Sequence, residues 1–123
     1  MERTPASSRL EIGKAGETAA LAEYSKAGFR LVARNWRCAM GEIDLVLERW
    51  GLLVICEVKT RRGSGLGGPF EAVNARKQRK LKILAEAFLS WLPTEPAGVR
   101  FDVASVSVDP KGRPSVHVFE GAF

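Results

Sequence analysis

Residues 41–62, GEIDLVLERWGLLVICEVKTRR, read as two apolar β-strands joined by a short turn, and this hairpin decides the fold. The strands are predicted over residues 42–48 and 52–60. The nearly continuous run LLVIC in the second strand indicates burial on both faces. Four charged side chains interrupt this apolar hairpin: Glu42, Asp44, Glu57 and Lys59. Because buried charges need compensation and cluster at functional sites, they are the first candidates for such a site.

Helices and further strands flank the hairpin in the sequence. The spacing of Ala20, Leu21 and Tyr24 predicts a helix over residues 14–27. A long helix is predicted over residues 71–92, with an apolar stripe at Leu81, Leu84, Ala85, Phe88 and Leu92. Further strands are predicted over residues 29–35, 99–108 and 115–119. The order helix, three strands, long helix, two strands predicts an α/β fold with a central mixed β-sheet flanked by helices.

The chain has 123 residues, of which 46% are hydrophobic, and this suits one domain with a single core. We expect a flexible N-terminal arm over residues 1–12 and a single domain over residues 13–123. No apolar run approaches the roughly 18–20 residues of a membrane span, and the first residues lack the apolar segment of a signal peptide. A soluble cytoplasmic protein without a membrane partner is therefore expected. Cys38 and Cys56 lack metal-ligand spacing, which predicts buried reduced thiols rather than a zinc site or a structural disulfide.

Glu57 and Lys59 lie two residues apart at the end of the second strand of the hairpin. They therefore project from the same face, with α-carbons roughly 6–7 Å apart. If the turn is centred near Trp50 and Gly51, Asp44 lies across from Glu57, although a longer loop would shift this register. One face of the first strand is predicted to carry Ile43, Leu45 and Leu47, and the other Glu42, Asp44 and Val46. Two carboxylates and an ammonium then share one small patch.

Opposed carboxylates repel, and removing a charge from water is costly unless a partner compensates it. A divalent cation resolves the repulsion, because carboxylate oxygens are ligands that Mg²⁺ prefers. Asp44 and Glu57 are therefore the predicted ligands of Mg²⁺ or Mn²⁺. Lys59 is placed to orient a metal-bound water or to neutralise the transition state of phosphodiester hydrolysis. The alternative is a buried salt bridge between Lys59 and Glu57 or Asp44.

Two further acidic residues have open roles. Glu17 lies four residues before Leu21 and seven before Tyr24, so a helix places it on the inward apolar stripe. It either completes the metal shell or is a helix-start acid favoured by the helix dipole. Glu42 lies at the start of the first strand of the hairpin, on the same face as Asp44. It is either an outer ligand of the metal site or an exposed side chain.

Basic residues are concentrated in one part of the chain. The net charge is +5, whereas residues 57–82 alone carry eight basic and two acidic residues, a balance of +6. Cations crowd the first half of the long helix, where the helix dipole disfavours them, and a phosphate ligand would relieve this. The predicted nucleic-acid contacts are Arg61, Arg62, Arg76, Lys77, Gln78 and Lys80. The alternative is a solvated basic face.

An acidic helix residue followed by Asp44 and by Glu57-Val58-Lys59 resembles the PD-(D/E)XK nuclease signature, in the compact arrangement of archaeal Holliday-junction resolvases. A longer series of motifs over residues 13–123 resembles the YraN family of predicted endonucleases. These motifs are GxxGE (13–17), RNWR (34–37), GEIDLV (41–46), EVKTR (57–61), AVNARKQ (72–78), RFDVASV (100–106) and the terminal Ala122-Phe123. Ile43 departs from the signature, which has proline there, and Cys56 stands where the family often has a bulkier apolar residue.

The resemblance implies a restriction-endonuclease-like fold and metal-dependent hydrolysis of phosphodiester bonds. By position, it implies Asp44 and Glu57 as metal ligands, Lys59 as the catalytic lysine and Glu17 as the helix carboxylate. The leading hypothesis is a Mg²⁺- or Mn²⁺-dependent endonuclease for structured or branched DNA, with DNA favoured over RNA and a homodimer if two strands are cut symmetrically. The alternative is a non-catalytic nucleic-acid-binding accessory protein on the same fold. A third possibility is a protein-interaction module whose buried charges form a structural network.

Overall fold

The computed structural model describes residues 5–63 and 73–123, with side chains from residue 11 onward. The elements in chain order are helix α1 (Pro5–Lys26), strands β1 (Arg30–Cys38), β2 (Gly41–Arg49) and β3 (Leu52–Arg62), helix α2 (Ala75–Trp91), and strands β4 (Gly98–Val108) and β5 (Pro114–Phe119). Among the described residues, no helix combines the length and the apolarity that a bilayer crossing requires.

One five-stranded sheet, in the order β1-β2-β3-β4-β5, forms the centre of the fold. The central strands β3 and β4 pair in parallel, whereas the other neighbouring strands are antiparallel. Parallel neighbours need a crossover connection, and α2 lies in the connection between β3 and β4. The two helices pack on opposite faces of the sheet, each over its own apolar cluster. The predicted α/β fold, with a central mixed sheet flanked by helices, is confirmed.

Strand β3 is buried on both faces, as its apolar run predicts. Leu53 and Ile55 join the cluster under α2, and Val54 and Cys56 join the cluster under α1. The predicted stripe of α2 is buried at Leu81, Leu84, Ala85 and Phe88. Burying each large apolar side chain contributes roughly 1.5–3 kcal/mol, so these clusters fix both helices against the sheet.

Strand β2 departs from simple alternation near its start. Leu45 and Leu47 pack in the cluster under α1, whereas Ile43 packs in the cluster under α2. The prediction that these three residues share one face is therefore wrong for Ile43. Val46 follows the expected alternation and lies on the α2 side.

The neighbouring strand β1 changes face at the same level. Arg34 ion-pairs with Glu17 of α1, but two residues later the ring of Trp36 packs edge-on against Phe88 of α2, with centroids 5.2 Å apart. Between them, Asn35 has φ of 51°, a left-handed conformation that asparagine tolerates better than most residues. This local twist is the physical reason why the two-residue alternation fails here.

The helix boundaries also differ from the predictions. Helix α1 begins at Pro5, well before residue 14, because its first turns carry no apolar stripe that periodicity could detect. Helix α2 begins at Ala75 behind Asn74, whose side chain accepts the backbone N–H of Lys77 at 2.9 Å. Residues 64–72, which include the first two positions of the predicted long helix, lie outside the described residues. The division of the chain at residue 12 stays a prediction. Both cysteines are free thiols, as predicted, but only Cys56 is buried, and Cys38 is half-buried.

Candidate active site

The open end of the β2–β3 hairpin brings Asp44 and Glu57 together. The paired positions of the hairpin end at Leu45↔Cys56, and the next step in that register sets Asp44 opposite Glu57. At this level the backbone N–H of Val58 donates to Oδ2 of Asp44 at 2.8 Å. The carboxylate thus accepts from a strand N–H in place of a backbone carbonyl, and this hydrogen bond fixes the Asp44 side chain between the two strands.

Asp44 lies in an environment that disfavours its negative charge. Burial, followed by the nearby charge of Glu57, raises its pKa from 3.8 to about 7, and the charges of Glu17 and Glu42 act in the same direction. The Val58 N–H opposes this shift in pKa by donating to the ionised form. In the absence of a cation, Asp44 is therefore partly protonated near neutral pH.

Glu57 is paired with two lysines. Its Oε1 lies 3.6 Å from Nζ of Lys59 on the same strand and 3.0 Å from Nζ of Lys77 on α2. The first contact agrees with the prediction that Glu57 and Lys59 project from one face. Burial lowers the pKa of Lys59, and the neighbouring Lys77 lowers it further. Glu57 is therefore compensated within the protein, unlike Asp44.

A group of three carboxylates forms around Asp44. Glu17 of α1, Glu42 of β2 and Asp44 each offer an oxygen, and these oxygens lie within 4.8 Å of one another. The side chain of Asn35 joins two members of the group, since Nδ2 donates to Oε2 of Glu17 at 2.8 Å and to Oε1 of Glu42 at 2.9 Å. Glu42, whose role the sequence left open, lies inside this group.

Glu17 reaches the sheet because α1 approaches β3 closely at the preceding residue. A Cβ atom on Gly16 would lie 1.8 Å from Oγ1 of Thr60, so no side chain fits at this contact. Ala20 and Tyr24 are buried one and two turns further along the same helix face. The side chain of Glu17 is only 12% exposed, which agrees with its predicted inward position.

The predicted nucleic-acid contacts fall into several environments. Arg62, Arg76 and Lys80 are exposed, and Arg61 is half-buried near the end of β3. Lys77 is half-buried against Glu57, as described above. The Gln78 side-chain amide donates to the backbone carbonyl of Val73 at 3.1 Å, which favours a structural role at the start of α2.

A cleft of about 230 Å³ opens between the sheet and α2 at this end of the hairpin. Its lining combines carboxylates and ammonium groups with an apolar floor: Glu42, Asp44, Glu57, Lys77, Lys80, Leu81 and Leu84. A concave site with a few convergent charged groups is the usual form of a small catalytic or binding site.

The conserved sequence profile described as "Uncharacterised protein family UPF0102" matches residues 16–106. The chain belongs to this family. A UPF0102 protein of Symbiobacterium thermophilum is 47% identical over 112 residues, covering 91% of this chain and 95% of the relative. A UPF0102 protein of Frankia alni is 44% identical over 112 residues, covering 91% of this chain and 93% of the relative. The resemblance to the YraN family is thereby confirmed at the level of family.

The three carboxylates of Glu17, Glu42 and Asp44 in this UPF0102 protein suit a hard divalent cation. They offer oxygen ligands alone, and oxygen ligands suit Mg²⁺ and Mn²⁺. The raised pKa of Asp44 shows that burial, followed by the charge of Glu57, disfavours its ionised form, which a bound cation would favour. Glu57 borders the same cleft and contributes to this shift in the Asp44 pKa. It could bind the same cation if its ion pairs with Lys59 and Lys77 open.

Sequence reasoning placed three residues of this UPF0102 site incompletely. The strand pattern does not single out Asn35, although asparagine is enriched among residues with left-handed backbone. Strand alternation alone does not decide the role of Glu42, because it does not reveal the contact with Asn35. Helix charge predicts Lys77 as a phosphate contact, whereas its ion pair with Glu57 depends on how α2 packs on β3.

Proposed function

We propose that this protein is a divalent-metal-dependent endonuclease that hydrolyses phosphodiester bonds in nucleic acid, with structured or branched DNA as its favoured substrate. One observation carries the proposal: the carboxylates of Glu17 and Glu42 converge on Asp44, whose pKa is raised, beside the Glu57–Lys59 pair. Clusters of perturbed acids with an adjacent ammonium are typical of hydrolytic sites. The arrangement agrees with the order of acidic residues and lysine in PD-(D/E)XK nucleases.

Asp44 and Glu57 would hold Mg²⁺ or Mn²⁺, with Glu17 and Glu42 bordering the ion. When bound, such an ion acidifies water and stabilises the charge that develops on a phosphate. Asp44 is suited to this role because its Val58 N–H contact fixes one oxygen and leaves the other to a ligand. Cation binding would also draw the Asp44 pKa back down and favour the ionised carboxylate.

Lys59 is the proposed catalytic lysine. Its ammonium lies 3.6 Å from Oε1 of Glu57, where it could neutralise a phosphate oxygen or orient a water. The lowered pKa of Lys59 is consistent with a lysine that is partly removed from water. The exposed cations Arg62, Arg76 and Lys80 would hold backbone phosphates without reading base sequence.

Symmetric cleavage of two strands requires two sites, so a homodimer is part of the proposal for branched DNA. Such a protein would act in the cytoplasm, the location expected from the sequence. The test is a panel of branched, single-stranded and duplex substrates incubated with purified protein and Mg²⁺ or Mn²⁺. Cleavage that is abolished by EDTA and by Lys59→Ala supports the proposal. Equal trace cleavage by wild type and Lys59→Ala would reject it.

The pairing of Glu57 with two lysines favours a second candidate function. A carboxylate that is already neutralised needs no metal, so the same fold can serve as a non-catalytic nucleic-acid-binding accessory protein. This alternative predicts salt-sensitive DNA binding that survives Asp44→Asn and Glu57→Gln, without cleavage of any substrate in the panel. Loss of metal-dependent cleavage in both variants would instead support the nuclease.

A further inference from the structure

Asn35 lies where β1 changes face between the two helices. Arg34 on one side of it contacts Glu17 of α1, and Trp36 on the other side contacts Phe88 of α2. The left-handed φ of 51° at Asn35 permits this change, and asparagine adopts this conformation more readily than most residues. The Asn35 side chain points to the open end of the sheet, where the carboxylates converge.

The Asn35 amide ties two of these carboxylates together. Nδ2 has two hydrogens, and the two acceptors within hydrogen-bonding distance are Oε2 of Glu17 at 2.8 Å and Oε1 of Glu42 at 2.9 Å. The amide is neutral, so it holds both carboxylates without cancelling their charge. A lysine or arginine in its place would compete with a cation for the same oxygens.

The second oxygen of each of these two glutamates accepts from an arginine of β1, the strand that carries Asn35. Oε1 of Glu17 accepts from Nε of Arg34 at 3.2 Å, and Oε2 of Glu42 accepts from Nε of Arg37 at 3.1 Å. Arg37 is 77% exposed, and an exposed ion pair of this kind restrains a side chain weakly. The Asn35 side chain hydrogen-bonds to both carboxylates and therefore links them directly.

We infer that Asn35 is a positioning residue that orients Glu17 and Glu42 toward Asp44 and so prepares the divalent-cation site. The inference rests on the proposed metal-dependent function, since it concerns the ions that this site would take. Groups that orient metal ligands typically change metal affinity by about 10–100-fold when they are removed. Asn35 would act through Glu17 and Glu42 rather than by touching the substrate.

A purely conformational role for Asn35 makes a different prediction. If the residue is needed only for its left-handed backbone, glycine should replace it without loss, because glycine adopts positive φ freely. If the amide matters, glycine keeps the backbone conformation but releases the two carboxylates. Asn35→Gly therefore separates the two roles in one substitution.

Trp50 provides a matched control. It is a non-glycine residue with φ of 52°, and it lies in the β2–β3 turn at the far end of the hairpin. Trp50→Gly likewise places glycine at a position with left-handed backbone, but it changes no contact with the carboxylates of the site. Any effect of glycine substitution on stability alone should then appear in both variants.

The experiment measures Mn²⁺ binding by calorimetry in full-length wild type, Asn35→Gly and Trp50→Gly, together with thermal unfolding in EDTA. We expect Asn35→Gly to weaken Mn²⁺ binding by about tenfold or more, while Trp50→Gly leaves it unchanged. Unfolding in EDTA should show that Asn35→Gly is folded. Wild-type Mn²⁺ affinity in Asn35→Gly would overturn the positioning role, although metal-dependent cleavage by wild type would still support the nuclease.

A second measurement applies if Asn35→Gly does not fold. In ¹⁵N-labelled wild type, Mg²⁺ titration should shift the Asn35 side-chain amide resonances with the same midpoint as Mg²⁺ binding measured by calorimetry on wild type. Amide resonances that stay unchanged through saturation would overturn the inference. Absence of any Mg²⁺ or Mn²⁺ binding by wild type would overturn both the positioning role and the metal-dependent function.

Discussion

Nζ of Lys77 lies 3.0 Å from Oε1 of Glu57, closer than the 3.6 Å that separates the same oxygen from Nζ of Lys59. Helix α2 thus supplies the nearest positive charge to a glutamate whose side chain is only 10% exposed. A cation that binds Glu57 must displace this ammonium or share the carboxylate with it. The packing of α2 is therefore coupled to the charge state of the candidate site.

Lys77→Gln tests this coupling. The substitution leaves Glu57 with Lys59 alone, so the free energy of unfolding in EDTA should fall by about 1–2 kcal/mol. Mn²⁺ affinity should rise severalfold, because no α2 ammonium competes for Glu57. Lys80→Gln, an exposed lysine that lines the same cleft, is the control for the loss of one positive charge. Equal effects of both substitutions on stability and Mn²⁺ affinity would contradict the coupling.

The pKa of Asp44 predicts a pH dependence of stability in the absence of metal. Because the folded pKa is about 7 and the ordinary value is 3.8, the folded protein retains a proton that the unfolded chain has released between these values. Stability in EDTA should therefore fall as pH rises through this window and level off above it. The contribution of Asp44 is at most roughly 4 kcal/mol.

Asp44→Asn provides the comparison, since asparagine keeps an acceptor for the Val58 N–H but carries no charge. Urea unfolding of both proteins in EDTA should show a flatter pH dependence for Asp44→Asn between about pH 4 and pH 7. Saturating Mg²⁺ should reduce the pH dependence of wild type by favouring the ionised carboxylate. Parallel pH profiles for the two proteins would show that Asp44 is not the group responsible.

Gly16→Ala tests the close approach of α1 to β3. A methyl group at this position would lie 1.8 Å from Oγ1 of Thr60, so the helix must shift outward. We expect a loss of about 1–3 kcal/mol in the free energy of unfolding and weaker Mn²⁺ binding through displaced Glu17. Gly13→Ala, one turn earlier in α1, meets no atom within 4 Å and should be neutral or stabilising. Equal stabilities of the two variants in chemical denaturation would contradict the contact.

The buried hydrogen bond between Tyr24 and Asp102 gives a prediction that is independent of the metal site. The Tyr24 hydroxyl donates to Oδ2 of Asp102 at 2.7 Å, and Asp102 is fully buried. Tyr24→Phe should lower the free energy of unfolding by about 1–3 kcal/mol. Mn²⁺ affinity should stay unchanged, because Tyr24 lies two turns along α1 from Glu17. A loss of Mn²⁺ binding without a loss of stability would contradict this separation.

The sequence predicts those parts of the fold in which local pattern and tertiary position agree. The apolar stripe of α2 and the run LLVIC in β3 identify their elements, and the Trp50–Gly51 turn gives the register that sets Asp44 opposite Glu57. Glu57 and Lys59 share a face because a strand has a period of two. These predictions depend only on short-range geometry.

The remaining features depend on contacts that no local pattern specifies. The left-handed Asn35 reverses the alternation of β1, and Ile43 consequently packs on the side opposite to the predicted one. The contacts of Glu42 and Lys77 depend on residues of other elements, Asn35 of the adjacent strand β1 for Glu42 and Glu57 of β3 for Lys77. Tertiary packing decides these positions after the strands and helices have formed.

The most direct test of the proposed nuclease is the single-turnover cleavage rate of a labelled branched DNA in saturating Mn²⁺. Wild type, Lys59→Ala and the control Lys26→Ala are compared, the last removing an exposed lysine at the end of α1. We predict at least a hundredfold lower rate for Lys59→Ala and an unchanged rate for Lys26→Ala. Equal rates for wild type and Lys59→Ala, with both proteins folded, would contradict the proposed function.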